Sequence, residues 1–202
     1  MHDDHECALP VAPRQLWQTQ RPTTLRPDHW AQRVVVGNEI PNLHRVNANL
    51  YRSAQPTKAG FRLLAARTGV SHGDQPVRTV LSLRAVNGDE RSRAPGSPVQ
   101  LQQIKFDARW PEDQDVIQFL DIVTSPRMQP VLVHCQRGAD RTGTMMAIYR
   151  MAIENWTAAQ ALREMSDGGF GFNPLYQHLL HYVRDMNIKA LRLQLTRQRA
   201  GQ

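Results

Sequence analysis

The sequence predicts an α/β fold, in which a single domain is built on a short central, mostly parallel sheet flanked by helices. Three observations indicate this fold. Residues 131–133 form a short apolar run after Pro130, which is typical of a strand buried on both faces. A loop and a helical segment follow that run directly. Residues 77–84 alternate as a second parallel strand would, and strands that alternate with helices characterise parallel sheets.

The other elements follow from hydrophobic spacing and from capping signals. Short strands are predicted over residues 33–36, 43–46, 77–84 and 101–106. Helices are predicted over residues 57–69, 113–123, 142–154, 157–165 and 175–193. We expect Thr57 to begin the first helix and Gly69 to end it. Thr157 and Gln160 have the spacing of a capping box.

Residues 168–172 read Gly-Gly-Phe-Gly-Phe and contain too much glycine for a helix. We expect them to return the chain toward the loop that follows residues 131–133. Two roles stay open for Phe170 and Phe172: they form the wall of a pocket, or they fill the core.

The central feature of the chain is the loop that joins the strand at residues 131–133 to the helix expected from Thr142. Cys135 is its first residue, Gly138 lies in its middle and Arg141 is its last. A strand, a tight loop and a helix in this order point backbone N–H groups and the positive end of the helix dipole at one anion. The sequence therefore predicts an anion-binding loop.

The side chains of this loop indicate which chemistry the anion undergoes. A cysteine that faces backbone amides and a helix N-terminus is stabilised as the thiolate, which is a nucleophile at neutral pH. Arg141 offers a planar fork for two phosphoryl oxygens, and Gly138 permits backbone angles that a side chain would forbid. The Thr142 hydroxyl can donate to the Cys135 sulfur, and the His134 ring can fix the loop through backbone carbonyls. The alternative is a buried structural cysteine near an arginine that caps a carbonyl.

The sequence His134-Cys135-(five residues)-Arg141-Thr142 resembles the signature of the cysteine-dependent protein tyrosine phosphatases. Tyr-Arg-Ser-x-x-Pro at residues 51–56 and Gly-Gly-Phe-Gly at residues 168–171 are similar to segments of compact bacterial phosphatases of the dual-specificity type. The resemblance covers about residues 49–182 and implies a dual-specificity-phosphatase-like fold, with residues 31–202 as the catalytic domain.

This resemblance implies hydrolysis of phosphate monoesters through a phosphocysteine intermediate, with no metal or other cofactor. Cys135 would be the nucleophile, with Thr142 and His134 beside it in the catalytic set. The substrate phosphate would be held by the loop residues Gln136, Arg137, Gly138, Ala139, Asp140 and Arg141. Arg52 and Ser53 are interpreted as structural.

Attack by the thiolate on an aryl phosphate requires a proton donor for the leaving oxygen. In the family that the chain resembles, an aspartate on a loop before the cysteine takes this role. Asp107 lies 28 residues before Cys135, after the predicted strand 101–106. Glu112 and Asp113 remain alternatives, although both lie at a helix start, where acidic residues commonly serve as caps.

The loop composition also bears on the substrate. Phosphoinositide phosphatases of this superfamily often carry lysines inside the loop, whereas this chain has Gln136, Arg137, Ala139 and Asp140. An acid at Asp140 disfavours a second phosphate nearby, which favours phosphotyrosine, with phosphoserine or phosphothreonine, on protein substrates. Arg137 favours the alternative, an inositol phosphate or phosphoinositide. A catalytically idle phosphate-binding module is the remaining alternative.

The net charge of +7 and the pI of about 10.1 suit phosphoesters or nucleic acid. Because the arginines are scattered and no aromatic residues interleave with the basic residues near the C-terminus, we expect no nucleic-acid partner. No apolar stretch has the length that spans a bilayer, so we expect no membrane insertion. The oligomeric state is not predicted.

Residues 1–30 contain four prolines and no periodicity, and we expect a partly disordered arm there. The start of the chain has neither a basic segment nor an apolar run typical of a signal peptide. Two cysteines do not make a disulfide framework, and both are interpreted as reduced. The expected compartment is the cytoplasm, or the periplasm if a leader was removed.

Overall fold

A six-stranded sheet forms the centre of the fold. In the computed structural model, residues 26–65, 70–72, 75–86 and 98–201 are described. The strands are β1 Gln32–Arg33, β2 His44–Asn47, β3 Leu50–Ser53, β4 Ser71–His72, β5 Gln75–Pro76, β6 Thr79–Ser82, β7 Gln100–Gln103 and β8 Val131–His134. The six-stranded sheet has the order β1-β2-β3-β8-β6-β7, and β4 pairs only with β5. Neighbouring strands are parallel from β3 through β8 and β6 to β7, whereas β1 pairs antiparallel with β2 and β2 pairs antiparallel with β3. This arrangement confirms the predicted mostly parallel sheet.

The register of the central strands brings their carboxyl ends to one edge. Ser53 at the end of β3 and Ser82 at the end of β6 both pair with His134 at the end of β8. All four residues of each of these strands are buried, as expected for strands covered on both faces. The loops that follow them therefore begin side by side, at the edge where open α/β sheets bind ligands.

Helices cover both faces of the sheet. They are α1 Lys58–Ala65, α2 Asp113–Thr124, α3 Asp140–Ala152, α4 Ala158–Asp167, α5 Gln177–Asp185 and α6 Ile188–Ala200, with a 3-10 turn at Pro174–Tyr176. Successive residues of β8 serve different cores because strand side chains alternate in direction. Leu132 packs in the cluster that contains Phe61 of α1, whereas Val131 and Val133 pack in the cluster that contains α2 to α6.

Capping residues set the starts of two helices as the sequence predicts. The Thr57 hydroxyl accepts a hydrogen bond from the Gly60 N–H at 3.1 Å and caps α1. Thr157 and Gln160 form the reciprocal capping box of α4, with bonds of 3.2 and 2.9 Å. The predicted end of α1 at Gly69 lies outside the described residues.

Several predicted element boundaries differ from those of the structure, and β6 and β7 are both shorter than the strands predicted over residues 77–84 and 101–106. The strand expected over residues 33–36 is only β1, since Val35 is exposed and Gly37 turns the chain at a φ of +73°. The helix at the loop starts two residues before Thr142, because the Gly143 N–H already bonds the Ala139 carbonyl at 2.6 Å.

A further wrong prediction concerns the C-terminal helix, which was predicted as continuous over residues 175–193. It is divided into α5 and α6. Met186 is extended, with φ −60° and ψ 125°, and the Asn187 side chain caps α6 by accepting from the Ala190 N–H at 3.0 Å. The apolar spacing continues through this break, so hydrophobic periodicity alone did not reveal it.

The described end of the predicted N-terminal arm packs against the domain. Trp30 is buried, and the Arg26 guanidinium donates to the Gly168 carbonyl and lies 5.1 Å from the centre of the Phe170 ring. Residues 1–25 lie outside the described residues, so the predicted arm stays a prediction there. Among the described residues, none of the helices combines the length and apolar character that crossing a bilayer requires.

Candidate active site

A cleft of about 540 Å³ opens at the carboxyl edge of the sheet. Cys135 follows β8 directly and lies at the base of this cleft, with only 2% of its surface exposed. The remaining lining comes from three other segments and from the rest of the loop: Ala85, residues 106–109, Gln136, Arg137, Asp140, Arg141, Asn173 and Tyr176. The structure thus brings Cys135, Arg141 and Asp107 to one cleft.

The loop after β8 is anchored through its carbonyls. Four consecutive carbonyls, those of residues 135–138, accept hydrogen bonds. The Cys135 carbonyl accepts from His134 Nδ1 at 3.2 Å, and the Gln136 carbonyl accepts from the Gln55 N–H at 3.3 Å. The Arg137 carbonyl accepts from Asn42 Nδ2 at 3.0 Å, and the Gly138 carbonyl accepts from Arg52 Nη2 at 2.8 Å. Across a trans peptide the carbonyl and the following N–H point in opposite directions. The N–H groups of residues 136–139 are therefore directed away from these anchors, as an anion-binding loop requires.

Gly138 allows this loop to approach the end of β3. Its φ is +70°, in the left-handed region that favours glycine. A Cβ at this position would lie 2.4 Å from the Ser53 carbonyl carbon and 2.5 Å from the Ala54 nitrogen. Only glycine therefore fits without a backbone shift.

The first turn of α3 supplies the next residues of the loop. Arg141 lines the cleft, and its Nη1 donates to the Leu83 carbonyl just beyond β6 at 3.3 Å. Asp140 Oδ1 accepts from the Asn173 N–H at 2.8 Å, which ties the loop to the segment before α5. The Thr142 hydroxyl is buried and has no hydrogen-bond partner in the part of the chain that the structure describes, so the predicted bond to the Cys135 sulfur is not formed here.

Asp107 also lines the cleft, and it is paired with Arg109. Its carboxylate accepts from the Arg109 N–H at 2.9 Å, from Nε at 3.2 Å and from Nη2 at 3.0 Å. These bonds, the side-chain bond first, lower the pKa of Asp107 below its usual value. His178 Nε2 holds the same loop by donating to the Ala108 carbonyl at 2.7 Å.

The two alternative acids lie elsewhere. Glu112 is the residue before α2, and Asp113 is its first residue. Asp113 Oδ1 accepts a hydrogen bond from the Tyr182 hydroxyl at 2.9 Å. Neither residue contributes to the lining of the cleft.

Phe170 and Phe172 belong to the core rather than to the cleft. Phe170 is 3% exposed, with its ring centre 3.5 Å from the Arg52 guanidinium carbon and 4.8 Å from the His44 ring. Phe172 is partly buried against the main core cluster. The aromatic residues that line the cleft are Phe106 and Tyr176.

Sequence reasoning missed several residues of the cleft. Tyr176 and Asn173 precede α5, and Arg109 and Ala85 follow strand ends. The pair Asn173-Pro174 is a helix-start signal that could have indicated a turn here. Arg52, interpreted as structural, contacts the loop backbone at Gly138.

The charges of the cleft suit an anion. Arg109, Arg137 and Arg141 line it together with the carboxylates Asp107 and Asp140. Among the described residues, no group of three or more His, Cys, Asp or Glu side chains could hold a metal ion. A buried cysteine on a loop with anchored carbonyls, together with an arginine and an aspartate in the same cleft, is the set of groups that a cysteine-dependent phosphatase requires.

Comparisons with known proteins place the chain within that class. A family described as a DSP-PTPase phosphatase fused to NAD+ kinase matches residues 32–180. The chain is 33% identical over 165 residues to the dual specificity protein phosphatase TpbA of Pseudomonas aeruginosa, covering 81% of this chain and 70% of the relative. The chain therefore belongs to the dual-specificity phosphatase family, as its loop signature predicts.

Solved structures agree with this assignment. The crystal structure of P. aeruginosa TpbA matches with a TM-score of 0.71 and 34% identity, over 85% of this chain and 99% of that one. A second crystal structure, of TpbA in complex with phosphotyrosine, also has a TM-score of 0.71, at 33% identity over 85% of this chain and 98% of that one.

A more distant relative by sequence is an inositol diphosphatase of Arabidopsis thaliana. It is 25% identical over 160 residues, covering 75% of this chain and 72% of that protein.

Proposed function

We propose that this phosphatase hydrolyses phosphotyrosine in protein substrates through a phosphocysteine intermediate. The observation that carries the proposal is the anchoring of four consecutive loop carbonyls away from the cleft, because the amides that follow are left to bind phosphoryl oxygens. The phosphotyrosine complex of TpbA supports an aryl phosphate as substrate.

In the first step the Cys135 thiolate attacks phosphorus and the bond to the tyrosyl oxygen breaks. Arg141 binds two of the non-bridging oxygens, and its orientation toward the cleft is supported by its bond to the Leu83 carbonyl. Protonated Asp107 gives its proton to the leaving oxygen, so that tyrosine departs neutral. Asp107 is preferred over Glu112 and Asp113 because it alone of the three lines the cleft.

In the second step water attacks the phosphocysteine. Ionised Asp107 accepts a proton from the water, the sulfur–phosphorus bond breaks, and phosphate and thiolate are released. The buried Thr142 hydroxyl has no hydrogen-bond partner among the described residues, so we assign it to donate to the sulfur when the sulfur departs in this step. His134 keeps the loop in place through the Cys135 carbonyl.

The ion pair of Asp107 with Arg109 must open before Asp107 can deliver a proton. Both side chains are exposed, by 38% and 77%, and exposed ion pairs are weak. Opening is therefore compatible with turnover. It also frees Arg109 to contact an acidic group of the substrate beside the phosphotyrosine.

An inositol polyphosphate is the second candidate substrate. Arg109 and Arg137 line the cleft in addition to Arg141 and could bind further phosphates. The relative of Arabidopsis that is named an inositol diphosphatase supports this candidate. The carboxylate of Asp140 in the same lining opposes it, since a second phosphate there would be repelled.

The test is hydrolysis of a phosphotyrosyl peptide in EDTA and a thiol reductant, with inositol hexakisphosphate measured alongside. We expect the peptide to be turned over faster, Cys135→Ser to abolish activity, and Asp107→Asn to lower kcat by roughly 10²–10⁴-fold. Asp113→Asn is the matched control and should retain the parental rate. Activity that survives Cys135→Ser contradicts the mechanism, and faster turnover of the inositol phosphate contradicts the substrate.

We propose a cytoplasmic location, because the reaction requires Cys135 as a free thiol and the cytoplasm keeps thiols reduced. The periplasm is the alternative. Cell fractionation with an antibody against the protein distinguishes the two.

A further inference from the structure

Arg52 lies fully buried on the inner side of the phosphate-binding loop. It is 1% exposed, and its Nη2 donates to the Gly138 carbonyl at 2.8 Å. The face of the Phe170 ring covers the guanidinium, with the ring centre 3.5 Å from the guanidinium carbon. These contacts fix the cation directly beneath the loop that begins with Cys135.

Hydrogen bonding alone does not account for a charged side chain in this position. The buried Nε of Arg52 has no hydrogen-bond partner in the part of the chain that the structure describes. A buried cation is costly unless opposite charge compensates it. The cost is lowest when a nearby group carries the missing negative charge.

Two groups that can be negatively charged act on Arg52, and only one of them is not already bound to another cation. Glu164 attracts the guanidinium, but its carboxylate already binds Arg150 through bonds of 2.8 and 2.9 Å and accepts from the Ala31 N–H at 2.6 Å. The other group is Cys135, whose thiolate also favours the charged form of Arg52. A buried cation and a thiolate on the loop that it contacts are complementary charges.

We propose that Arg52 is a positioning residue that stabilises the Cys135 thiolate from the buried side of the loop. It complements the loop amides and Arg141, which act from the cleft. The inference rests on the proposed function of Cys135 as the nucleophile.

Arg52 remains positively charged under working conditions. Burial lowers the pKa of Arg52 to about 10, which still leaves the guanidinium protonated at neutral pH. Burial also lowers the pKa of His44, which stands against the same Phe170 ring, to about 4, so His44 is neutral there. A full charge in a site of low dielectric acts more strongly on a thiolate than one in water.

Other charged and titratable groups also surround the pair. The cleft side carries Arg137, Arg141, Asp107 and Asp140, and His134 lies at the strand end. The buried side carries Glu164, Arg150 and Arg26 together with His44. Substitution of Arg52 leaves all of these in place, so a change in thiolate titration reports on the Arg52 charge.

The experiment measures alkylation of Cys135 by iodoacetamide as a function of pH, since only the thiolate reacts. All variants carry Cys7→Ser, which leaves Cys135 as the single cysteine of the chain. Arg52→Met removes the charge, Arg52→Gln removes it but keeps an amide donor for the Gly138 carbonyl, and Arg52→Lys keeps the charge. Arg163→Met is the matched control, because it removes the same charge from an exposed position of α4.

We expect Arg52→Met and Arg52→Gln to raise the midpoint of the alkylation profile by about one pH unit, which lowers the rate below the midpoint about tenfold. Arg52→Lys and Arg163→Met should keep midpoints close to the parent. Equal midpoints for the parent and the Met or Gln variants overturn the inference. If circular dichroism shows that Arg52→Met does not fold, the midpoints of Arg52→Gln and Arg52→Lys are compared instead, and equal midpoints overturn the inference.

The parental rate on a phosphotyrosyl peptide separates this inference from the proposed function. An inactive parent contradicts the proposed function. If the parent is active and Arg52→Gln leaves the midpoint of the alkylation profile unchanged, only the role of Arg52 is contradicted.

Discussion

Substitution of Gly138 by alanine tests whether the geometry of the loop controls catalysis. The new Cβ would lie 2.4 Å from the Ser53 carbonyl carbon, where ordinary contacts begin near 3.4 Å. Because the obstacle is backbone of β3 and not a flexible side chain, the loop must move outward by about 1 Å, and a misplacement of about 1 Å can cost roughly 100-fold in rate. The left-handed φ of +70° adds about 1–2 kcal/mol of strain for alanine.

The assay is kcat/KM for a phosphotyrosyl peptide, with thermal unfolding measured on the same samples. Gly171→Ala is the matched control: its φ is +83°, but a Cβ added there would meet no atom within 4 Å. Both variants should lose about 1–2 kcal/mol of stability from backbone strain. Only Gly138→Ala should lose about 100-fold in kcat/KM. Equal activities of the two variants would refute the reasoning.

Two further predictions concern ion pairs. Arg109→Ala removes the side-chain bonds that contribute most to the lowered pKa of Asp107 and keeps the bond from the backbone N–H of residue 109. The pKa of Asp107 should therefore rise, so that Asp107 stays protonated to higher pH and the basic limb of the kcat/KM profile moves to higher pH. A limb that stays in place would show that Asp107 is not the acid. Glu164→Gln breaks the buried pair with Arg150, in which both side chains are 3% exposed, and should cost about 3–5 kcal/mol. Calorimetry should show Tm lower by roughly 6–20 °C at about 2–4 °C per kcal/mol, and a fall below about 2 °C would contradict this.

The parts of the site that the sequence predicts are those encoded within one short segment. The apolar run of β8, Cys135, Gly138 and Arg141 are close in the chain, and their order alone indicates a strand, an anion-binding loop and a helix. Asp107 was predicted from the resemblance together with its place after a strand. The structure brings it to the cleft because β7 is parallel to β6 at the same sheet edge.

The parts that sequence reasoning missed depend on contacts between distant segments. Tyr176 reaches the cleft because His178 binds the Ala108 carbonyl, 70 residues earlier, and Asp140 holds the Asn173 N–H. Phe170 is in the core because Arg52 lies beneath it, a pairing that no local pattern indicates. A buried arginine is also uncommon, so composition predicts exposure for it.

The two sides of the cleft differ in how they are held, and the difference suits the chemistry. The loop after β8 is fixed by buried contacts such as that of Arg52 with Gly138, and in the proposed mechanism it binds the same phosphoryl group in both steps. The same mechanism requires Asp107 to be protonated in the first step and ionised in the second. A buried partner would hold its carboxyl in one state, whereas the exposed pair with Arg109 lets water and protons exchange between steps. In the proposed mechanism, the loop with its buried contacts therefore sets the geometry of the transition state, and the exposed pair of Asp107 with Arg109 sets the pH range over which the enzyme works.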